Sequence, residues 1–264
     1  MLPRISKVEC DNADYLLFST SDLISNTLFK TGKWEEHLLD ITNFFISEIE
    51  NPLILDIGAN LGAYSIPLAK SLQNKGGKII AFEPQRIVYY QLCANVILNR
   101  LENYYAINSA VGKSNGEIEM PEIDYEKNTN IGAFSIEKKY REFQGVEGSM
   151  KKFNTKVPLI NLDSFDIEKS PALIKIDVEG YELEVLKGAV DFLDKSDYPP
   201  LLFEAWSFDW FKEERIELLT FAQKLGYEIT TFGTDDYIAQ HPKNPVKIEF
   251  TVNSDGIINM TKVR

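Results

Sequence analysis

Short apolar runs alternate with helix-forming stretches from Pro52 onward, and this alternation constrains the fold more than any other feature of the chain. Residues 53–55, 78–82 and 104–107 are such runs, and polar or glycine residues follow each of them. Buried strands that alternate with helices predict an α/β protein, with a parallel sheet, right-handed crossovers and helices on both faces. Ligands of such sheets bind beyond the carboxyl ends of the strands, so we expect the functional residues there.

The alternation is interrupted between residues 116 and 158, a stretch rich in Asn, Lys, Glu and Gly with only short strand-like pieces. We interpret this stretch as an insertion before the fourth strand, not as a second core. The pattern then resumes with predicted strands over 172–177, 200–204 and 227–232, predicted helices over 181–189 and 213–225, and a final hairpin with its turn at 254–256.

Residues 1–50 are predicted to be poor in strands, with a helix over 34–49 where apolar residues recur at helical spacing. The length of 264 residues corresponds to about two domains at roughly 150 residues each. The pattern instead favours one α/β domain over 51–264, preceded by an N-terminal helical cap over 1–50.

Charge and composition argue against several functions. The chain has 28 Lys and Arg against 40 Asp and Glu, a formal net charge of −12, and no dense basic stretch to bind nucleic-acid phosphates. No run of about 18 apolar residues predicts a membrane span, and residues 1–15 lack the apolar core of a secretory signal. With two cysteines and two histidines (His37 and His241), we expect neither a disulfide framework nor a zinc site of the usual kind, and a reducing, cytoplasmic location.

A glycine loop with an acidic residue, Asp-Ile-Gly-Ala-Asn-Leu-Gly over 56–62, joins the first predicted strand to a helix. Glycines there permit a tight turn and let a ligand approach the backbone. A dinucleotide fingerprint has its middle glycine where this chain has Asn60, and Asp56 precedes Gly58 by two residues, so both residues oppose a diphosphate. A carboxylate beside such a loop suits a cationic cofactor such as S-adenosylmethionine (SAM), which carries an ammonium and a sulfonium.

Glu83 closes the second predicted strand. An acidic side chain at that position accepts hydrogen bonds from both hydroxyls of a ribose. NAD and SAM share this adenosine half, so Glu83 indicates a nucleoside cofactor without separating the two. Asp56 and Asn60 favour SAM, and an NAD-dependent oxidoreductase is the alternative.

Five short segments follow one another along the chain. They are Asp-Ile-Gly-Ala-Asn-Leu-Gly (56–62), Phe-Glu-Pro (82–84), Ser-Ala-Val-Gly (109–112), Leu-Asp-Ser-Phe (162–165) and Ile-Lys-Ile-Asp-Val-Glu-Gly-Tyr-Glu-Leu-Glu-Val-Leu-Lys-Gly-Ala (174–189). In this order they resemble the FkbM family of SAM-dependent methyltransferases, over about residues 34–206. The resemblance implies a class I methyltransferase fold, with a Rossmann-like, seven-stranded, mostly parallel sheet. It also implies O-methylation of a hydroxyl, commonly on a sugar or a polyketide-derived molecule.

The same resemblance implies further cofactor contacts. Glu35, which follows Trp34, would reach the amino acid end of SAM, and Ser109 and Ala110 would lie beside the adenine ring. Together with the strand ends, the predicted cofactor-binding residues are Glu35, Asp56, Gly58, Ala59, Asn60, Gly62, Glu83, Pro84, Ser109, Ala110 and Asp177.

The fourth strand end supplies the predicted catalytic residues. Strand alternation places Lys175 and Asp177 on the same face, where a charged pair is costly unless it is paired or used. A carboxylate within reach of an acceptor hydroxyl can act as its general base. Asp177 is the first candidate, Glu179 and Glu204 are the next, and Lys175 is predicted to neutralise Asp177 or Glu204. Asp177, Glu179 and Glu204 carry the oxygen ligands that Mg²⁺ prefers, so metal-assisted methyl transfer is an alternative mechanism, but we predict no metal.

Other residues near these strand ends are interpreted differently. Glu182 and Glu184 are predicted to lie in the first turn of the next helix and to interact with its dipole. His241 is a weaker candidate for the base, since we expect it in a surface loop. The aromatic residues after Glu204 either line the acceptor pocket or, more commonly for such a run, pack in the core; they are Trp206, Phe208, Trp210 and Phe211.

The sequence therefore predicts a SAM-dependent O-methyltransferase that acts on a hydroxyl of a sugar or glycan. Part of the insertion, 128–133, is a candidate lid over the acceptor. The alternatives are an NAD-dependent oxidoreductase, or a methyltransferase with a polyketide, lipid or RNA acceptor.

Overall fold

The computed structural model describes residues 2–19, 22–125, 132–252 and 258–263. Its strands are β1 (Ile5–Glu9), β2 (Asp14–Phe18), β3 (Leu53–Ile57), β4 (Lys78–Phe82), β5 (Tyr104–Ile107), β6 (Ala110–Val111), β7 (Gly116–Ile123), β8 (Met150–Ile160), β9 (Leu173–Ile176), β10 (Leu201–Glu204), β11 (Glu228–Phe232), β12 (Asp236–Gln240), β13 (Lys247–Val252) and β14 (Ile258–Val263). Its α-helices are α1 (Leu23–Thr31), α2 (Glu36–Ile46), α3 (Ser65–Leu72), α4 (Arg86–Leu98), α5 (Lys138–Phe143), α6 (Glu182–Lys187), α7 (Val190–Lys195) and α8 (Lys212–Lys224).

The central sheet has seven strands in the order β11-β12-β10-β9-β3-β4-β5. β3 pairs in parallel with both β4 and β9, while β12 runs antiparallel to β10 and β11. The predicted α/β class is confirmed, and the sheet is mixed because of β12. The chain runs from β3 outward to β5 and returns on the other side at β9, so the strand order reverses between β3 and β9. The crevice at such a reversal is where open α/β sheets bind their ligands.

The helices cover both faces of this sheet, as the alternation predicted. Every residue of β3 and of β9 is buried, which explains their almost continuous apolar sequences. Ile54 packs in one core cluster with apolar residues of α2, α3 and α4. Leu55, its neighbour along β3, packs in a second cluster with residues of α6, α7 and α8.

The N-terminal segment contains a β-hairpin, β1 and β2, before α1 and α2. The prediction that this segment is poor in strands was wrong. β1 is exposed on both faces apart from partly buried Val8, so its sequence has no apolar alternation to reveal it. The hairpin is bound to α4, since the Asn95 and Asn99 side chains accept hydrogen bonds from the backbone of Leu16 and Asp14.

The insertion is more regular than the sequence indicated. β6, β8 and β7 form a three-stranded sheet, and β7 pairs with β8 along most of its length. The expectation of only short strand-like pieces was therefore wrong. Met120, Phe134 and Val157 pack with Val88 of α4 in a small cluster that attaches the insertion to the core. At the other end of the chain β13 and β14 pair as hairpin arms, and the predicted turn at 254–256 lies outside the described residues.

The longest helices that the structure describes, α4 and α8, have 13 residues each. Across the described ranges, no helix combines the length and the apolar character needed to cross a bilayer. The cytoplasmic location stays a prediction.

Candidate functional site

A cavity of about 570 Å³ lies at the carboxyl ends of β3, β4, β9 and β10. This volume falls within the roughly 300–1,000 Å³ typical of small-molecule sites. It is lined by all the predicted catalytic residues and by most of the predicted cofactor residues. These are Glu35, Gly58, Ala59, Asn60, Glu83, Pro84, Ser109, Ala110, Lys175, Asp177, Glu179 and Glu204. The structure thus brings together residues from the ends of β3, β4, β9 and β10, from the segment after β5 and from the N-terminal segment.

The glycine loop lies tightly between its two neighbouring strands. Gly58 has φ of +88°, and a Cβ there would overlap the backbone carbonyl of Asp177. On the other side, the backbone N–H groups of Gly58 and Ala59 donate to the carbonyl of Phe82 at 2.9 and 3.0 Å. Glycine is required at this position both for the left-handed backbone and for the approach of β9.

Two predicted cofactor residues, Asp56 and Gly62, do not line the cavity. Asp56 is fully buried within β3, beside Lys175 of β9, with which it is in register. Gly62 has φ of +89°, and a Cβ there would lie 2.5 Å from Ile66 and 2.8 Å from Leu92. Gly62 therefore permits α3 and α4 to pack closely, and Asp56 lies behind the cavity wall, beside Lys175.

Glu83 is buried at the end of β4, and its carboxylate organises the loop. Its Oε2 accepts a hydrogen bond from the Asn60 N–H at 2.9 Å, and its Oε1 accepts one from the Gln85 N–H at 2.8 Å. Burial raises the pKa of Glu83 to about 8, although the two backbone donors oppose the shift. Each carboxylate oxygen has a second lone pair, so Glu83 can accept further hydrogen bonds from a ligand with adjacent hydroxyls.

Lys175 is a buried cation among three acids. Its Nζ lies 2.7 Å from Oδ2 of Asp177, so the predicted neutralisation of Asp177 is confirmed. Burial opposes the charge of Lys175, but Asp177, Glu35 and Asp56 raise its pKa well above the ordinary value.

Glu35 lines the cavity with φ of +44°, and among the described residues its buried Oε2 has no hydrogen-bond partner. Burial raises the pKa of Glu35 to about 7.

Unlike Asp177, neither Glu179 nor Glu204 forms an ion pair with a cation in the described part of the chain. Burial, followed by the negative charge of Asp177, raises the pKa of Glu204 to about 10 and that of Glu179 to about 8. The Trp206 indole donates to Glu204 at 3.1 Å, and the Gln144 amide donates to Glu179 at the same distance. Within the described ranges, no group of three or more His, Cys, Asp or Glu side chains is arranged to hold a metal ion.

The methyltransferase FkbM domain model matches residues 56–229, well over half of the chain. The chain belongs to the FkbM methyltransferase family. It is 29% identical over 201 residues to methyltransferase sdnD of Sordaria araneosa, a match that spans 69% of this chain and 74% of that protein.

Two solved structures resemble this FkbM methyltransferase. One is an FkbM methyltransferase from Methylobacillus flagellatus KT, with 18% identity, a TM-score of 0.48 and coverage of 82% of this chain. This chain spans about half of that protein, 52% of its length. The other is a SAM-dependent O-methyltransferase from Thermotoga maritima, with 12% identity, a TM-score of 0.48, and coverage of 99% of this chain and 72% of that one.

SAM is the methyl donor of the FkbM family, and the cavity fits it. Glu83 can accept further hydrogen bonds from adjacent hydroxyls such as those of a ribose, and Oε2 of Glu35, which has no partner among the described residues, can accept one from an ammonium group. A cationic sulfonium in the cavity would favour the charged forms of the acids that line it, since opposite charges attract strongly at a partly buried site. The predicted cofactor is confirmed.

Glu182 and Glu184 lie in the first turn of α6 of this methyltransferase, as predicted. Glu182 is in addition buried, and its Oε1 accepts hydrogen bonds from the N–H groups of Val178 at 3.0 Å and Gly180 at 3.2 Å. Glu179 and Gly180 both have positive φ, +56° and +91°, so this turn is sharp. Glu182 stabilises the turn that places Glu179 in the cavity.

Three further sequence predictions concern His241, the aromatic run after Glu204 and the candidate lid. His241 was expected in a surface loop, but it is only 8% exposed and stacks on Tyr198 with ring centroids 3.9 Å apart. The aromatic run after Glu204 is not part of the cavity lining: Trp206 and Phe211 are buried against Tyr140, whereas Phe208 is exposed. In the candidate lid, residues 126–131 lie outside the described residues, while Gly132 and Ala133 line the cavity.

The thermal stability of the ligand-free protein should fall as the pH rises from about 5 to about 8. Glu83 and Glu179 have folded-state pKa values of about 8 against an ordinary 4.5, so in this window the folded state binds more protons than the unfolded state. The free energy of unfolding then decreases with pH. His37, whose pKa is raised by its hydrogen bond to Asp236, acts in the same direction. Scanning calorimetry should record a loss of roughly 5 °C or more in Tm.

Glu83→Gln replaces one of these titratable carboxyl groups by an uncharged amide of similar shape. Its melting curve should therefore depend less steeply on pH than that of the wild type. A Tm that stayed constant or rose between pH 5 and pH 8 would contradict the raised pKa values.

Proposed function

We propose that this FkbM methyltransferase transfers the methyl group of SAM to a hydroxyl oxygen of a small-molecule or glycan acceptor, with a sugar hydroxyl as the first choice. The observation that carries the proposal is the position of Asp177. This carboxylate lies at the carboxyl end of β9, lines the cavity, and is bound on one oxygen by Lys175 at 2.7 Å.

The cofactor half of the cavity would use the residues of the β3 and β4 ends. Glu83 would bind the ribose hydroxyls, and Glu35 would accept a hydrogen bond from the ammonium group. The loop of Gly58, Ala59 and Asn60 would hold the body of the cofactor, and Pro84, Ser109 and Ala110 would hold the adenine ring. When bound, SAM supplies a methyl group activated by the sulfonium.

The acceptor half would use the acids of β9 and β10. Much of the rate enhancement of such a displacement comes from alignment of the acceptor oxygen with the methyl group. Asp177 takes the hydroxyl proton on the oxygen that Lys175 does not bind. Glu179 and Glu204 have raised pKa values, so at neutral pH they are protonated and donate hydrogen bonds that orient the acceptor.

An RNA acceptor fits this site less well than a neutral hydroxyl compound. The chain has a net charge of −12, and the lining cations Lys33 and Lys175 are already paired with Glu36 at 2.8 Å and Asp177 at 2.7 Å. Polyketide-derived and lipid acceptors stay as alternatives, since apolar residues also line the cavity. The family assignment supports methyl transfer over NAD-dependent oxidoreduction.

Labelled SAM and a panel of glycans, free sugars, sugar nucleotides, hydroxylated polyketides and RNA test the proposal directly. We expect label in a hydroxyl compound, together with an equal amount of S-adenosylhomocysteine (SAH). Label on a base nitrogen or carbon of RNA, and on no hydroxyl compound, would overturn it.

Glu83→Ala should weaken SAH binding by about 100-fold or more, because it removes the hydrogen bonds to two ribose hydroxyls and releases the Asn60 N–H. Isothermal titration calorimetry measures the effect. Glu117→Ala is the matched control, since Glu117 makes an exposed ion pair with Lys156 in the insertion. If both variants bound SAH like the wild type, Glu83 would not be a cofactor ligand.

A further inference from the structure

The insertion supplies part of the cavity lining. Gly132, Ala133, Phe134 and Ile136 line the same cavity as Glu83 and the glycine loop. Gly132 lies directly against Asn60, and a Cβ at Gly132 would overlap the side-chain amide of Asn60. That amide is itself fixed, because its Oδ1 accepts a hydrogen bond from the Leu61 N–H at 2.8 Å. The contact between the insertion and the cofactor loop therefore leaves no room for a side chain at Gly132.

A buried arginine fixes this segment from behind. Arg141 is only 7% exposed, and its Nη1 donates to the backbone carbonyls of Ser135, at 3.0 Å, and Ile136. Its Nε donates to Glu147 at 2.7 Å, which neutralises the buried charge. An arginine with these partners sets the backbone position of residues 135 and 136, because its donors point in fixed directions.

Gln144 connects the segment to the catalytic edge of the sheet. Its Oε1 accepts a hydrogen bond from the Ser135 N–H at 3.2 Å, and its Nε2 donates to Oε2 of Glu179 at 3.1 Å. One amide thus joins the segment of the insertion to a carboxyl group at the end of β9. A displacement of the segment would break a hydrogen bond of Glu179.

Helix α5, which carries Arg141 and is followed directly by Gln144, is anchored on the core. Tyr140 of α5 packs edge-on against Trp206 and Phe211, with ring centroids 5.9 and 5.2 Å apart. Phe143 stacks on Trp210 at 4.8 Å. α5 is therefore a fixed support, from which segment 132–136 extends to the cofactor loop.

From these contacts we propose that segment 132–136 is a wall of the SAM site, positioned by Arg141 and Gln144, and that its docking on Asn60 is coupled to cofactor binding. The proposal rests on this cavity being the SAM site. It follows that a ligand in the cavity stabilises the docked segment, and that displacement of the segment lowers the affinity for the ligand.

Gly132→Val tests the coupling without any knowledge of the acceptor. The added side chain would overlap Asn60 and displace the wall, so SAH should bind roughly tenfold or more weakly in calorimetry. Gly148→Val is the matched control in the same insertion, because a Cβ there meets no atom within 4 Å and its φ is ordinary. Gly148→Val should bind SAH like the wild type. If Gly132→Val did so too, the proposal would be wrong.

Hydrogen exchange of the wild-type chain gives an independent measurement should Gly132→Val fail to fold. The Ser135 N–H, which donates to Gln144, should exchange about tenfold more slowly when SAH is saturating. An unchanged rate in a protein that binds SAH would overturn the coupling alone. A wild-type chain that bound no SAH would overturn the cofactor site itself and the coupling with it.

Discussion

Asp177→Asn is expected to lower kcat by about 100- to 10,000-fold at saturating SAM, the range that a positioned general base contributes. The variant keeps the shape of the side chain and loses the negative charge that accepts the hydroxyl proton. Lys175 binds only one oxygen of Asp177, at 2.7 Å, and the side chain is 29% exposed to the cavity, so the second oxygen is available to an acceptor. The rate of SAH formation with the best hydroxyl compound of the panel measures the loss.

Two comparisons separate this role from a general effect of charge. Glu204→Gln replaces a carboxyl that is protonated at neutral pH, since its pKa is about 10, by a neutral amide of similar shape. It should cost far less activity than Asp177→Asn. Asp191→Asn makes the same chemical change on the exposed surface of α7 and should leave kcat unchanged. A kcat for Asp177→Asn above a tenth of the wild-type value would exclude Asp177 as the base.

The strand ends of the site were predictable because they depend on local pattern. An apolar run that stops at an acidic residue marks both a strand and its carboxyl end, and parallel strands place those ends at one edge. Glu83, Asp177 and Glu204 were therefore expected together, and all three line one cavity. The family motifs added roles for Glu35, which precedes β3 by 18 residues, and for Ser109, which follows β5, and both line the same cavity.

The residues that position the site residues were not predictable from the sequence, since their roles depend on contacts between segments that are distant in the chain. Gln144 and Glu179 are 35 residues apart and belong to the insertion and the core, and no motif links them. Asp56 illustrates a different difficulty: its motif indicated cofactor contact, but its burial depends on the register that places Lys175 beside it. Register between β3 and β9 is a property of the folded sheet, because a large part of the chain separates the two strands.

Lys175→Met should reduce the free energy of unfolding by about 3–5 kcal/mol, the cost of breaking a buried ion pair by removal of one partner. Methionine fills much of the same volume as lysine, so the lost stability comes from removal of the charge more than from poorer packing. Without the ammonium, Asp56 would be fully buried with neither carboxylate oxygen hydrogen-bonded within the described part of the chain. Asp177 would also lose its ion pair, and Glu35 would lose the cation that favours its charged form.

Urea denaturation of Lys175→Met and Lys187→Met measures this difference. Lys187 forms ion pairs with Glu184 and Glu217 at 3.0 and 3.4 Å and is 33% exposed, so the same substitution there should cost about 1 kcal/mol or less. Adding Asp56→Asn to Lys175→Met should restore part of the stability, because it removes an unpaired buried charge. The loss for Lys175→Met should also shrink at acidic pH, where Asp56, whose pKa is raised by burial, is protonated. Equal losses for the two lysine variants would show that the buried cation does not stabilise the acids around it.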